Sequence, residues 1–238
     1  MKHLIETANP SGLAITEYDR IILNSATNDV IVRGGGANAN GHTYVDLGLP
    51  SGLKWATMNV GATSETDYGY YFQWGDIVDK SNSDCRWATY KHCNGSGTTL
   101  TKYSNKSSYG TMDNITTLES VDDAAAQIMG GDWRMPTQTE FQELIEGTTN
   151  EWITNYEGTG VNGMKFTHKT DTSKYIFIPA AGTRSGSSSD SQGRYGYVWS
   201  SSLFTDPDSA RLLTFYSGYV GAKGFTLRYN GQVVRGVL

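Results

Sequence analysis

An α+β fold built on antiparallel strands is predicted by three features: two mid-chain segments of helical period, short runs of β-branched and aromatic residues around them, and frequent turn signals. At 238 residues the chain suits one sizeable core plus a small appendage.

Residues 1–33 read as a separate β-rich element, with Ile15, Ile21, Ile22, Leu23, Val30, Ile31 and Val32 in runs broken by Asn-Asp turns. GGGANANG at 34–41 reads as a flexible joint. The main domain is expected over 42–238, opening with strands around Tyr44 to Leu47 and Leu53 to Met58 divided by a Pro50-Ser51-Gly52 turn. Residues 61–115 scatter Tyr68, Tyr70, Tyr71, Phe72, Trp74, Trp87 and Tyr90 among small polar residues without period, which is long-loop texture pinned by buried rings.

A first helix is expected from about Leu118 to Met129, with Leu118, Val121, Ala125 and Ile128 inward, Asp122 and Asp123 outward, and Gly130-Gly131 as its stop. The second is marked by Thr137 and Glu140 at capping-box spacing, by inward Phe141, Leu144 and Ile145, and by Gly147 at its end. Strands are then expected at Met164–Thr167, Tyr175–Pro179, Tyr197–Ser201, Leu212–Tyr216 and Phe225–Val237, the last broken by an Asn230-Gly231 hairpin.

The net charge of -5, with no basic run, argues against a surface that tracks nucleic-acid phosphates. Charged residues are only 18% of the chain, whereas there are 28 Gly, 15 Tyr and 6 Trp, a composition suited to ordered loops and contact surfaces. The N-terminus lacks the apolar run of a signal peptide and no stretch is apolar enough to span a bilayer, so the expected product is made in the cytoplasm and not inserted in a membrane. Cys85 and Cys93 are read as free thiols or one loop disulfide.

Chemical motifs are weak. Gly158, Gly160 and Gly163 match a dinucleotide-binding spacing, but the mechanism needs a strand before and a helix after, and the expected order is reversed. His3, His42, His92 and His168 lack paired ligand spacing, and Ser185 lacks the nucleophile-elbow context. Asp206 and Asp208 have the oxygen chemistry of a structural calcium site, but two acids around a proline read first as a turn. No catalytic residue, metal ligand or cofactor is assigned.

GGDWRMPTQTEFQELI at 130–145, GYVWSSS, RYNGQVVRGV, the opening YVDLGLPSGLKWATMNVG and YFQWG at 71–75 together resemble C-type-lectin-like domains related to the formylglycine-generating-enzyme fold. The resemblance spans about residues 43–238 and implies a lectin-like fold of two helices, short antiparallel sheets and long loops. The oxidase branch depends on a late cysteine pair that binds copper, and this chain has none there. A second branch is similar: the variable proteins of diversity-generating retroelements, like the phage major tropism determinant, whose C-terminal region is rewritten by adenine-directed mutagenesis.

Such relatives are Asn-rich between WSSS and RYNG, whereas LFTDPDSARLLTFYSGYVGAKGFTL contains no Asn. Randomising the adenines of an Asn codon never yields Lys, Glu, Gln, Met or Trp. Within a variable region at about 199–235, the resemblance therefore implies the ligand-contact positions Phe204, Asp208, Ser209, Leu212, Thr214, Tyr216, Tyr219, Gly221, Ala222, Gly224, Phe225, Thr226 and Leu227. Lys223 falls outside that set and is read as a fixed position or as the product of another codon.

Alternation supports the choice, since a strand here would bury Leu213 and Phe215 and expose Leu212, Thr214 and Tyr216. The function implied is recognition of a host cell-surface protein or glycan from a phage or prophage tail. The N-terminal element would attach the chain to its particle or assemble it, in a homotrimer, within the virion. A non-diversified lectin-fold binding or structural domain, and an oxidase of the formylglycine-generating type, are the rival readings.

Overall fold

The computed structural model describes residues 20–24, 29–33, 37–186 and 188–238, and over them the chain is mixed α+β. His3, Ile15 and residues 34–36 of the expected joint lie outside that set. Strands β1 (Arg20–Asn24) and β2 (Asp29–Arg33) pair as an antiparallel hairpin, in keeping with the β-branched runs there. Within the expected joint, Ala37–Ala39 is strand β3, and Asn40-Gly41 turns it into β4 (His42–Asp46).

Strand β4 pairs with β5 (Lys54–Asn59) after a turn in which the Gly52 amide donates to the Leu49 carbonyl at 2.9 Å. Residues 61–115 contain only short 3-10 turns, as the loop reading expects, and Tyr71, Phe72, Trp74 and Tyr90 are buried along them, whereas Tyr70 is exposed and Tyr68 and Trp87 are only partly covered.

The first helix departs from expectation. A 3-10 turn at Ser120–Asp122 precedes α1, which spans only Ala124–Met129. The change of winding resets the helical phase, so Val121 is 59% exposed and Ile128 is also outside. Asp122 and Asp123 are buried; Asp123 caps α1 by accepting from the Ala126 amide at 3.0 Å, and its other oxygen accepts from the Met135 amide at 2.8 Å. Gly130, at φ +68°, ends the helix as expected.

Helix α2 (Gln138–Gly147) starts on the expected capping box: Thr137 Oγ1 accepts from the Glu140 amide at 3.3 Å and Glu140 Oε2 from the Thr137 amide at 2.7 Å. Phe141 and Leu144 are fully buried.

Strands β6 (Thr148–Ile153), β7 (Gly163–His168) and β8 (Tyr175–Pro179) form one antiparallel sheet, and β6 is an element the sequence reading did not anticipate. A small hairpin joins β9 (Thr183–Ser185) to β10 (Ser188–Asp190). Strands β11 (Tyr195–Leu203), β12 (Ser209–Tyr216) and β13 (Tyr219–Leu227) form a three-stranded meander. The final strand, β14 (Arg235–Val237), pairs with β5 in a different sheet, so Phe225–Val237 is not one interrupted strand. Asn230-Gly231 makes no hairpin; Gly231 instead exchanges backbone hydrogen bonds with Arg184 at 2.8 and 2.9 Å.

Two apolar clusters flank the meander. Val198, Leu213 and Phe215 join Trp55, Phe141, Leu144, Phe166 and Ile178 on one side. Trp199, Ala210 and Leu212 join Phe72, Trp74, Tyr103 and Trp133 on the other. Successive strand residues point to opposite faces, so neighbours such as Leu212 and Leu213 serve different cores. No described helix is long and apolar enough to cross a membrane.

Candidate functional site

All thirteen positions singled out in the sequence fall on or beside the meander, but they divide between its two faces. Cross-strand partners share a face: Tyr195 lies opposite Tyr216, Tyr197 opposite Thr214, Thr214 opposite Gly221, Tyr216 opposite Tyr219, and Leu212 opposite Gly224. This face, open at the β12–β13 tip, carries a row of four tyrosines. Tyr197 and Tyr195 stack at 6.1 Å, Tyr195 and Tyr216 approach at 5.2 Å, and Tyr216 and Tyr219 stack at 5.0 Å. Tyr216 is 37% and Tyr219 44% exposed.

The opposite face holds a second group, because Arg211 lies opposite Phe225 and Ser209 opposite Leu227. There the Phe204 and Phe225 rings stack at 3.8 Å, and the Arg211 guanidinium sits 4.4 Å from the Phe204 centroid. Phe225 is 54% exposed. Elsewhere this face is filled by Leu213, Phe215 and Ala222 packed into the core.

Three of the thirteen are therefore corrected. Leu212 was expected outside but is only 2% exposed, because loop residues such as Trp74 and Tyr103 cover its end of the open face. Ala222 belongs to the other core, and Ser209 is buried where its amide closes a turn onto the Asp206 carbonyl at 3.0 Å. Thr214, Gly221, Gly224, Thr226, Leu227 and Asp208 are partly exposed.

Beside the tyrosine row lies a hollow of about 310 Å³ lined by Leu212, Thr214, Gly224, Phe225 and Thr226. Its other walls are Thr183, Ser185, Ser191, Tyr197, Asn230 and Gln232, none of which the sequence reading nominated. The Gln232 Nε2 donates to Thr183 Oγ1 and the Asn230 Nδ2 to Thr226 Oγ1, both at 2.7 Å. The amide oxygens of both residues are buried with no hydrogen-bond partner among the described residues. A signal for part of this wall was legible: Tyr195-Gly196-Tyr197 alternates as Thr214-Phe215-Tyr216 does. Thr183 and Ser185 come from a separate hairpin and had none.

The end of the meander is anchored by charge buried among neutral partners. Arg228 donates through Nε to the Tyr90 hydroxyl at 2.6 Å and through its terminal nitrogens to the carbonyls of Tyr103, Pro207 and Lys102 at 3.1, 2.9 and 3.1 Å. Its guanidinium lies 4.8 Å from the Trp74 ring. Arg235 likewise donates to Asn59 Oδ1, Ala56 O and Phe177 O at 2.9–3.0 Å.

Other titratable groups have structural partners. Asp122 accepts from Lys91, Lys102 and Tyr103, each at 2.6 Å. Burial opposes its charge, but these bonds outweigh that cost and hold the carboxyl well below the usual range. Burial pushes His92 down to about 4 against the raising effect of Asp122, so the ring is neutral at pH 7.

Cys85 is a buried free thiol, pushed up to about 11 by burial, and Cys93 is also free. Asp206 pairs with Lys106 at 2.7 Å in the expected turn. No group of three or more His, Cys, Asp or Glu that could hold a metal ion occurs among the described residues. Gly163 opens β7, so the glycine signature lacks the helix a dinucleotide site requires.

Comparison of the chain with protein-family models, with curated proteins and with solved structures finds no match.

Proposed function

We propose that the chain is a ligand-recognition protein in which a C-type-lectin-like scaffold displays the open face of the β11–β13 meander. In this reading it resembles the variable proteins of diversity-generating retroelements. It meets a host cell-surface protein or glycan at the tip of a phage or prophage tail, and its N-terminal element joins it to the particle, as a trimer.

The observation that carries the reading is the stacked row of Tyr197, Tyr195, Tyr216 and Tyr219 on a strand framework whose reverse side is solid core. Tyrosine brings large contact area at low entropic cost, and a rigid sheet spares the ordering penalty that a loop would incur. Gly221 and Thr214 between the rings leave room for a partner's side chains or sugar edges. The reading assigns no catalysis.

The non-diversified alternative draws on a specific observation, the burial of Ser209, Leu212 and Ala222, since a position rewritten at random is poorly placed in a core. Genomic sequence separates the two. A neighbouring reverse transcriptase and a near-identical repeat differing at adenines accompany the diversified form. Their absence leaves a fixed lectin-fold binder.

Binding itself is tested with a panel of bacterial surface glycans and outer-surface proteins. Tyr216→Ala/Tyr219→Ala should abolish capture without lowering the unfolding temperature. Capture undiminished by the double substitution overturns the reading.

A further inference from the structure

Arg211 and the stacked Phe204 and Phe225 lie towards the Ser209–Leu227 end of the meander, away from the Tyr216–Tyr219 tip. We infer that with Lys223 they form a second docking site, for a protein segment that presents an Asp or Glu carboxylate next to an apolar side chain. The inference stands apart from the recognition reading above, which rests on the tyrosines.

Three observations carry it. First, the guanidinium is held in place and within reach. It sits 4.4 Å from the Phe204 centroid, and the Phe204 ring in turn stacks on Phe225 at 3.8 Å with 7° between the planes. Its Nη1 donates to the Lys223 carbonyl at 3.0 Å in a solvent-exposed bond, the one hydrogen bond Arg211 makes among the described residues. The rest of the fork is open, and a carboxylate takes two parallel N–H bonds from such a fork.

Second, the local charge lacks an answer. Neither Arg211 nor the exposed Lys223 makes an ion pair among the described residues, although the chain carries a net charge of -5. The acids just before β12 are engaged elsewhere: Asp206 pairs with Lys106 at 2.7 Å, and Asp208 Oδ1 accepts from the Ser209 hydroxyl at 2.9 Å. A carboxylate arriving here meets attraction that no neighbour has already spent.

Third, Phe225 is 54% exposed. A single exposed ring is ordinary, but aromatic rings beside an arginine are the residue types that anchor protein interfaces. The ring has no hydrogen-bonding group, so a sugar laid on it would lose water from its hydroxyls without replacement, whereas an apolar side chain gains by leaving water.

The test titrates the full chain into fluorescein-labelled short peptides and follows anisotropy. One set alternates Asp or Glu with Leu or Phe, a second replaces the acids with Asn or Gln, and a third keeps the acids but replaces the apolar residues with Ser. Sialylated and uronate oligosaccharides form a fourth arm. Expected is binding of the first set alone, weakened several-fold by raising NaCl from about 0.05 to about 0.5 M. Arg211→Gln should weaken it about tenfold, Arg211→Lys less because the charge survives without the fork, and Phe225→Ala several-fold. Each variant should keep an unfolding temperature close to wild type, and Tyr216→Ala/Tyr219→Ala should leave peptide affinity unchanged.

Equal binding of the Asn and Gln set, no peptide bound at millimolar concentration, full affinity in Arg211→Gln, or preference for the acidic oligosaccharides would each overturn the inference. Peptide binding lost in the tyrosine double variant but kept in Arg211→Gln overturns it and leaves the recognition reading standing. Peptide binding lost only in Arg211→Gln, with surface-ligand capture undiminished in the tyrosine double variant, supports this site and overturns the recognition reading.

Discussion

Replacing Arg228 with methionine should destabilise the protein by about 4 kcal/mol. The side chain is fully buried, and among the described residues it has no ion pair; its partners are the Tyr90 hydroxyl and three backbone carbonyls. Methionine fills much of the volume but donates nothing, so the carbonyls of Lys102, Tyr103 and Pro207 are left open inside the molecule. Each open acceptor costs on the order of 1–3 kcal/mol, and partial relaxation brings the sum toward the lower end. The lost attraction to the Trp74 and Tyr90 rings adds to it.

For a domain of this size about 1 kcal/mol corresponds to roughly 2–4 °C, so the melting point should fall by about 8–16 °C. Urea unfolding followed by tryptophan fluorescence and calorimetry give the two numbers independently. Arg211→Met is the control: Arg211 is partly exposed and donates to the Lys223 carbonyl at 3.0 Å, so its loss should cost less than about 1 kcal/mol. A loss under about 1 kcal/mol for Arg228→Met would refute the view that this residue ties the long loop to the meander.

Acidification should weaken the fold in two stages. His92 is depressed to about 4, so the unfolded chain takes up its proton first, and stability falls as pH drops from about 6.5 to about 4 by on the order of 3 kcal/mol. His92→Phe should flatten that leg in urea titrations run at several pH values. Below about pH 4 the depressed Asp122 loses its contribution as it protonates, together with Asp67, Asp113 and Glu140, which are also held down, so Asp122→Asn should shrink this second leg while costing stability at pH 7. Gly196→Ala should cost about 3 kcal/mol, because its Cβ would meet the Phe215 ring at 2.0 Å, as denaturant midpoints will record. Thr137→Ala should cost about 1 kcal/mol by removing the α2 cap, measured the same way.

What the sequence disclosed was what local hydrogen bonding decides. The capping box at Thr137 and Glu140 and the glycine stop at Gly130 depend on atoms three or four residues apart. Asp122 read as a surface charge because its partners Lys102 and Lys91 lie 20 and 31 positions away. Asn230-Gly231 carries a strong local hairpin signal, yet pairing with Arg184 prevailed over it. Leu212 was misplaced because simple alternation assumes one wet face, whereas the meander is packed on both faces over part of its length. The hollow was invisible for a related reason: Thr183, Ser185 and Ser191 reach it from outside the meander.

The central claim is that side chains on the open face are held out by a scaffold that does not depend on them. A saturation scan of residues 204–227, selected for protease resistance alone, tests it most directly. Thr214, Tyr216 and Tyr219 should accept nearly every residue, while Leu212, Leu213, Phe215 and Ala222 should accept only small sets of apolar replacements. Should Tyr216 and Tyr219 prove as intolerant as Leu213 and Phe215, the face would be part of the core and the claim would be wrong.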